Sequence, residues 1–140
     1  TGPWSVVVDN STPGRFSASS SWGRATNSSQ RYGPDFRYAT PYTEKSDAAW
    51  YKVAIPATGT YRVEVRYPAS SGNNDRSPYV VVTASGNTTV HVNQRTNGGR
   101  WVTLGTFTLT AGDENKVGVS RWTYGTGQVV ADAIRVTRVG

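Results

Sequence analysis

Residues 55–68 constrain the fold of this chain more than any other stretch. Four apolar side chains there, Tyr61, Val63, Val65 and Tyr67, alternate with charged ones. This two-residue period is typical of a β-strand that buries one face and exposes the other. A proline follows directly, and proline ends such a strand because it has no N–H to donate to the sheet. The sequence therefore predicts a half-buried strand at this position.

Similar short segments recur along the whole chain. They cover residues 4–9, 48–53, 60–67, 79–84, 88–93, 101–110, 115–121 and 128–138. Clusters of Gly, Asn, Pro and Ser separate them, and no helical periodicity extends beyond one turn. The pattern predicts an all-β fold, an antiparallel, jelly-roll-like β-sandwich in which residues 1–140 form a single binding module.

Residues 11–43 differ from the rest because they lack sustained alternation. They are rich in Gly and Ser, yet they carry six aromatic residues: Phe16, Trp22, Tyr32, Phe36, Tyr38 and Tyr42. Long segments of this kind in a compact domain are usually functional loops or strands with a weak pattern. We expect this segment to fold against the sandwich.

The composition favours a secreted module. The 140 residues include no cysteine, which excludes disulfides, thiolate metal ligands and cysteine nucleophiles. Only 17% of the residues are charged, and no apolar run approaches the length of a membrane span. The chain starts with Thr-Gly-Pro-Trp and contains no methionine. We therefore expect a module excised from a longer, secreted protein, or a processed product, without a membrane partner.

The charge balance favours an anionic partner. The net charge is +6, and twelve of the fifteen cationic residues are arginine. A guanidinium group pairs with a carboxylate through two parallel hydrogen bonds. The arginines are scattered over strands and loops, which favours an acidic glycan or cell-wall polymer over nucleic acid. A surface with incidental positive charge explains the same composition equally well.

Catalytic groups are hard to assemble from this sequence. The single histidine, His91, lies between two valines of an alternating segment and so points outward. Glu64 is flanked by Arg62 and Arg66, which predicts ion pairing rather than a raised pKa. No two carboxylates are spaced in a way that identifies the pair a glycosidase requires. The sequence predicts a protein without catalytic activity of its own.

Two carboxylates interrupt apolar runs. Asp9 ends the run at residues 6–8, and Asp132 lies within residues 129–134. A carboxylate in an apolar strand is costly unless it is paired or binds a cation. The first and last strands of a jelly roll often lie side by side, so Asp9 and Asp132 are candidate ligands of one structural calcium ion. An arginine partner or backbone hydrogen bonds are the alternative.

An ordered series of short motifs carries a family resemblance. The motifs are Val8-Asp9-Asn10, Ser21-Trp22-Gly23, Arg31-Tyr32-Gly33, Ala49-Trp50, Ile55-Pro56, Tyr67-Pro68, Asn93-Gln94, Trp101 to Gly105 and Val130 to Ala133. Together they resemble the golvesin C-terminal-like domain, also called a xanthan-lyase-like carbohydrate-binding domain. The resemblance implies a noncatalytic β-sandwich that binds a polysaccharide or cell wall and is attached to a secreted bacterial hydrolase or lyase. A module that only spaces or stabilises a neighbouring catalytic domain is the alternative.

Sugar rings stack on exposed aromatic side chains, and polar groups fix their hydroxyls. The candidate ligand-binding residues are Trp122, Tyr124, Asn74, Arg76, Tyr32 and Tyr38. Trp122 and Tyr124 lie in a Gly-bearing loop, and in the similar family 6 and family 35 carbohydrate-binding modules this loop borders the ligand cleft. Arg76 suits a uronate carboxylate. The alternative for Trp122 is to cap the core at the sandwich edge.

The remaining large apolar residues are expected in the core. They lie in or beside alternating segments: Trp50, Tyr61, Tyr67, Trp101 and Leu104. For these residues, packing between the sheets is the favoured interpretation over contact with a ligand.

Overall fold

The computed structural model describes residues 4–140, and every regular element in this range is a β-strand. The strands are β1 (Ser5–Asp9), β2 (Phe16–Ser17), β3 (Gly23–Ala25), β4 (Phe36–Ala39), β5 (Ala49–Ile55), β6 (Gly59–Arg66), β7 (Ser77–Thr83), β8 (Gly86–Val92), β9 (Val102–Leu109), β10 (Gly112–Val119), β11 (Val129–Ala131) and β12 (Ala133–Arg138). Residues 4–140 contain no helix with the length and apolarity that crossing a bilayer requires.

Two antiparallel sheets form the sandwich. One has the strand order β1-β12-β6-β9, and the other has the order β2-β5-β10-β7-β8. The first strand therefore pairs with the last, from Ser5 opposite Thr137 to Asp9 opposite Ala133. Valine and tyrosine side chains supply most of the core, among them Tyr51, Tyr61, Val63, Tyr79 and Val136. The predicted β-sandwich is confirmed.

Strand β6 lies inside its sheet, between β12 and β9. Tyr61, Val63 and Val65 are fully buried, as their alternation predicts, and Tyr67 is buried just beyond the strand. Burying one such side chain stabilises the fold by roughly 1.5–3 kcal/mol. The Tyr61 hydroxyl donates a hydrogen bond to the Ala57 carbonyl (2.6 Å), which avoids the cost of burying a free hydroxyl.

The single strand predicted over residues 128–138 is wrong, because the chain changes sheet within it. β11 pairs with β4 in a third sheet of order β11-β4-β3, whereas β12 belongs to the four-stranded sheet. The break falls at Asp132. Its carbonyl accepts a hydrogen bond from the Asn10 N–H, and its buried carboxylate accepts one from the Tyr32 N–H, both 2.8 Å. A buried carboxylate needs such donors, and a regular sheet ladder does not supply them.

Residues 11–43 fold against the sandwich, as their aromatic content predicts, and they form β2, β3 and β4. Trp22 and Phe36 belong to the core. The Trp22 indole N–H donates a 2.9 Å hydrogen bond to the Asp47 carbonyl. Each of these strands has only two to four residues, which is too short for an alternating pattern to be visible in the sequence.

Two tryptophans expected in the core lie outside it. Trp50 lies on the outer face of the five-stranded sheet, opposite Gly118 of β10. Its ring covers that glycine so closely that a Cβ there would lie 2.7 Å from Cε3 of Trp50. Trp101 immediately precedes β9, and its ring contacts Tyr32 and Arg135. The other three expectations are confirmed, because Tyr61, Tyr67 and Leu104 pack in or against the core.

Candidate functional site

Four loops meet at one end of the sandwich, which we call the loop edge. They cover residues 26–35, 67–76, 93–101 and 120–128. Hydrogen bonds join them, from the Asn74 N–H to the Gln128 carbonyl (2.7 Å) and from the Ala69 N–H to the Gln30 side-chain oxygen (2.9 Å). Five of the six predicted ligand-binding residues lie in these loops, and the sixth, Tyr38, lies on β4.

A fully buried glutamine holds the loop edge together. The amide oxygen of Gln94 accepts hydrogen bonds from the Ser77 hydroxyl (2.6 Å) and the Val130 N–H (2.9 Å). Its amide nitrogen donates to the Tyr79 hydroxyl and the Val130 carbonyl, both at 2.8 Å. Gln94 thereby joins the 93–101 loop to β7 and β11. The sequence gives no signal for this role, because a glutamine after a strand is an ordinary surface pattern.

An open groove of about 660 Å³ lies between the 26–35 and 67–76 loops. Its lining includes Asn27, Ser28, Phe36, Tyr38, Ser70, Asn73, Gln128 and Val130. The groove combines apolar surface with amide and hydroxyl groups, which suits the C–H faces and hydroxyls of a sugar. Of the six predicted ligand-binding residues, Tyr38 alone lines it.

Trp122 and Tyr124 form an exposed aromatic pair in the 120–128 loop. Their ring centroids are 5.1 Å apart with an interplanar angle of 73°. Trp122 is 43% exposed and Tyr124 is 77% exposed, so neither ring caps the core. The Thr123 hydroxyl between them donates to the Arg76 carbonyl (2.8 Å) and fixes this loop to its neighbour. Neither ring lines the groove.

The other two candidates in the 67–76 loop differ from each other. Asn74 is fully buried: its amide nitrogen donates to the Gly127 carbonyl (3.0 Å) and its oxygen accepts from the Arg76 N–H (2.8 Å). Its side chain is therefore used to hold the loops and does not face solvent. Arg76 is exposed beside the Trp122–Tyr124 loop.

A second aromatic group lies where the loop edge meets the four-stranded sheet. The rings of Tyr32 and Trp101 have centroids 5.7 Å apart. The Arg66 guanidinium lies 5.5 Å from the Tyr32 centroid, and the Arg135 guanidinium lies 4.7 Å from the Trp101 centroid. Cations attract aromatic faces at these distances. The expectation of a core role for Trp101 is wrong, and the sequence does not reveal this cluster because register, not sequence spacing, brings β6 and β12 together.

Glu64 is ion-paired, as its neighbours predict, but its main partner is on another strand. The Arg135 guanidinium donates two hydrogen bonds to its carboxylate (2.9 and 3.0 Å), and Arg62 approaches at 3.4 Å. The bonds from Arg135 hold the pKa of the Glu64 carboxyl below its usual value, which leaves it poorly suited to act as a general acid. His91 is exposed on β8, as predicted.

Asp9 and Asp132 are buried neighbours at the loop edge. Asp9 accepts hydrogen bonds from the N–H and hydroxyl of Ser11 through Oδ2, and Asp132 accepts one from Tyr32 through Oδ2. The Oδ1 atom of each carboxylate is buried without a hydrogen-bond partner. Burial raises the pKa of Asp132 to about 8, opposed by the Tyr32 hydrogen bond and reinforced by Asp9. Backbone hydrogen bonds, which the sequence offers as an alternative to a cation, therefore reach only one oxygen of each carboxylate.

These two unsatisfied oxygens fit a hard cation, which prefers carboxylate and carbonyl oxygens. In the described part of the chain, no third carboxylate or histidine joins the pair. Backbone carbonyls and water must therefore supply the remaining ligands of any bound calcium. A proton shared between the carboxylates is the metal-free way to reduce their repulsion.

Comparison with known proteins identifies the family. The profile of the Golvesin C-terminal domain matches residues 6–138. The chain belongs to this family. It is 30% identical over 138 residues to the xanthan lyase of Bacillus sp. (strain GL1), a match that covers 97% of the chain and 15% of that enzyme. The chain thus spans a small part of the length of this relative.

Solved structures support the same assignment. The golvesin-type domain superposes on Paenibacillus xanthan lyase with a TM-score of 0.86 and 30% identity, over 97% of the chain and 13% of that enzyme. It also resembles the Podospora anserina GH26-CBM35 β-(1,4)-mannanase, with a TM-score of 0.70 and 16% identity, over 97% of the chain and 28% of that protein. The second likeness establishes a shared fold.

Proposed function

We propose that this chain is a noncatalytic carbohydrate-binding module that holds an attached enzyme on its polysaccharide. One observation carries the proposal: the three exposed aromatic side chains in residues 4–140, Tyr32, Trp122 and Tyr124, all lie at the loop edge. Exposed aromatic rings are costly in water, and sugar C–H faces are suitable partners for them. The groove between the 26–35 and 67–76 loops of the same edge adds amide and hydroxyl groups that suit sugar hydroxyls.

The proposed lack of catalytic activity is supported by the state of three of the nine carboxylates. Glu64 is ion-paired with a lowered pKa, and Asp9 and Asp132 are buried. A glycosidase needs two carboxyl groups that reach the scissile bond, one of them protonated. The relatives with 30% identity are lyases that extend far beyond the matched region, so we infer that the catalytic domain belongs to another part of a secreted bacterial hydrolase or lyase.

We infer that the polysaccharide is acidic or belongs to a cell wall. The net charge of +6 favours a polyanion. The cationic side chains are mostly arginine, which binds carboxylates in two-point geometry. Neither nucleic acid nor a membrane is needed to explain the charge.

We also propose that Asp9 and Asp132 hold a structural calcium ion. The support is the pair of buried Oδ1 atoms without partners. A bound ion would offset the repulsion between the carboxylates and supply them with the interactions they lack. It has no catalytic role in this proposal, and it would anchor the Tyr32 loop through Asp132.

Affinity electrophoresis against pectin, xanthan, hyaluronan, chitin and peptidoglycan tests the main proposal. We expect retardation on at least one polymer, and loss of that retardation when Trp122 or Tyr124 is replaced by Ala. Retardation on none of them favours a structural module that spaces or stabilises a neighbouring catalytic domain. Retardation on DNA with a steep salt dependence identifies a nucleic-acid binder instead.

A further inference from the structure

We propose that Arg66 is the residue by which this module selects carboxylated sugars, with a hexuronate carboxylate on its guanidinium and the sugar ring against Tyr32. The inference rests on the proposed carbohydrate-binding function. It adds the chemical class of the ligand and a site at the junction of the loop edge and the four-stranded sheet.

Arg66 differs from the other cationic side chains of the protein. Ten of the fifteen donate hydrogen bonds to, or form ion pairs with, other residues: Arg15, Arg24, Arg31, Arg37, Arg62, Arg95, Lys116, Arg121, Arg135 and Arg138. Four more, Lys45, Lys52, Arg76 and Arg100, are exposed to water. Arg66 is only partly exposed, yet residues 4–140 supply neither an ion pair nor a hydrogen bond to its guanidinium.

The local geometry leaves the Arg66 guanidinium partly open to solvent, where a ligand can reach it. Arg66 alternates with the buried Val65 on β6, so it projects from the outer face of the sheet. Its Nε is buried without a partner, and the terminal nitrogens are the part of the guanidinium that reaches solvent. A carboxylate that binds a partly dehydrated guanidinium contributes more binding free energy than one that binds a fully hydrated guanidinium.

The neighbouring arginines are less suited to this task because Glu64 already neutralises them. Arg135 donates two hydrogen bonds to Glu64, and Arg62 forms a second ion pair with it. An incoming carboxylate at either arginine would have to displace Glu64 or bind beside its negative charge. Arg66 lies two residues further along β6, and no carboxylate of residues 4–140 is hydrogen-bonded to its guanidinium.

The aromatic rings next to Arg66 provide a surface for the sugar itself. Tyr32 is 43% exposed, and the Arg66 guanidinium lies 5.5 Å from its ring centroid. Trp101 extends this surface, with its centroid 5.7 Å from that of Tyr32. Because the guanidinium lies over one face of the Tyr32 ring, a sugar in contact with the exposed edge of that ring can turn a carboxylate substituent toward the guanidinium, so one sugar residue can use both groups.

A purely electrostatic role toward Asp132 is the competing explanation. Burial raises the pKa of Asp132, and the Arg66 charge opposes this shift although the two side chains form no ion pair. A counter-ion role predicts that losing Arg66 changes the melting temperature but has the same effect on every glycan. Selection of carboxylates predicts a difference between charged and uncharged forms of one polymer.

The test compares retention on polygalacturonate with retention on its methyl-esterified form at fixed salt. Arg66→Gln removes the charge, and Arg66→Lys keeps the charge without the two-point fork. Lys52→Gln, an exposed cation on the other sheet, is the matched control for net charge, and Arg76→Gln tests the other candidate for a carboxylate. Esterification changes only the ligand, so it tests selectivity even if an Arg66 variant folds poorly.

We expect esterification to weaken wild-type binding about tenfold, which is about 1.4 kcal/mol. Arg66→Gln should remove this difference, Arg66→Lys should restore part of it, and Lys52→Gln should keep it. The inference is overturned if Arg66→Gln weakens binding to both forms equally, if Lys52→Gln has the same effect, or if only Arg76→Gln removes the selectivity. Binding that is equally tight to neutral polymers overturns the inference alone, whereas failure to bind every polymer overturns the proposed function as well.

Discussion

The backbone N–H of Tyr32 donates a 2.8 Å hydrogen bond to Oδ2 of Asp132. An exposed aromatic residue of the proposed binding surface is therefore anchored to a buried carboxylate. Gly33 follows and packs so closely on the Asp9 carboxylate that no Cβ fits there. A proton or a cation sets the charge of the two carboxylates. This charge therefore affects the contacts that hold the loop carrying Tyr32.

Calcium is expected to raise the melting temperature of the protein. A ligand that binds only the folded state stabilises it, by about 2.7 kcal/mol at a concentration of 100 times its Kd. Thermal melting in calcium and in chelator measures this effect. Asp132→Asn keeps the size of the side chain and removes its charge, so its midpoint should not respond to calcium. An unchanged wild-type midpoint would leave the carboxylates purely structural.

Without calcium, the fold is expected to lose stability as the pH rises. Burial raises the pKa of Asp132 to about 8, whereas the ordinary value in the unfolded chain is 3.8. Between these values the folded state holds a proton that the unfolded state releases. Stability from this group is therefore fully present below about pH 4 and is lost as the pH approaches about 8.

Melting curves in chelator at a series of pH values check this expectation. Asp132→Asn is the control, because an amide does not titrate and its midpoint should lack this slope. A wild-type midpoint that climbs from pH 4 to pH 8 in chelator would contradict a proton held by the pair.

The sequence predicts the sandwich well because alternation reports directly on which face of a strand is buried. Tyr61, Val63 and Val65 illustrate this, since each is fully buried as its spacing requires. The change of sheet at Asp132 is invisible to the same rule. It depends on donors from residues 10 and 32, which are distant in sequence and are brought near only by the fold.

The aromatic residues show where sequence reasoning about the site succeeds and fails. The Gly-bearing loop around Trp122 correctly indicates an exposed ring. Trp50 and Trp101 lie in or beside alternating segments, and their apolar character alone suggests burial. Whether a tryptophan faces the core or solvent depends on a one-residue register, and for Trp50 also on the glycine it covers on β10.

Gln94→Ala is expected to destabilise the protein by about 2–4 kcal/mol. The change leaves the Ser77 and Tyr79 hydroxyls and both backbone groups of Val130 without their partner in the interior. Each unsatisfied buried group costs about 1–3 kcal/mol, reduced where water enters the space. Urea unfolding measures the loss. Gln128→Ala, an exposed glutamine of the same edge, should change the free energy of unfolding by less than about 0.5 kcal/mol.

Trp122→Ala and Tyr124→Ala are each expected to weaken glycan binding about tenfold while leaving the melting temperature nearly unchanged. Both rings are exposed, so removing them costs little core packing, but each removes a surface on which a sugar stacks. Affinity electrophoresis and thermal melting of the same samples separate the two effects. Trp50→Ala is the control, since this ring lies on the outer face of the five-stranded sheet and should not affect retention. Equal retention by all three variants would place the ligand elsewhere.

Glu64→Gln is expected to destabilise the protein by about 1–2 kcal/mol near neutral pH, with the loss disappearing in acid. The Arg135 hydrogen bonds hold the Glu64 pKa below its ordinary value of 4.5, so the ion pair stabilises the fold above that pH and ceases to do so as the carboxylate is protonated. The estimate is modest because both arginines are partly exposed and water screens the pair.

Urea unfolding of the wild-type protein and of Glu64→Gln, from neutral pH to below pH 4, measures the difference. Asp113→Asn, which breaks the more exposed pair with Arg15, should cost less at every pH. A Glu64→Gln deficit that persists unchanged in acid would assign the loss to packing rather than to charge.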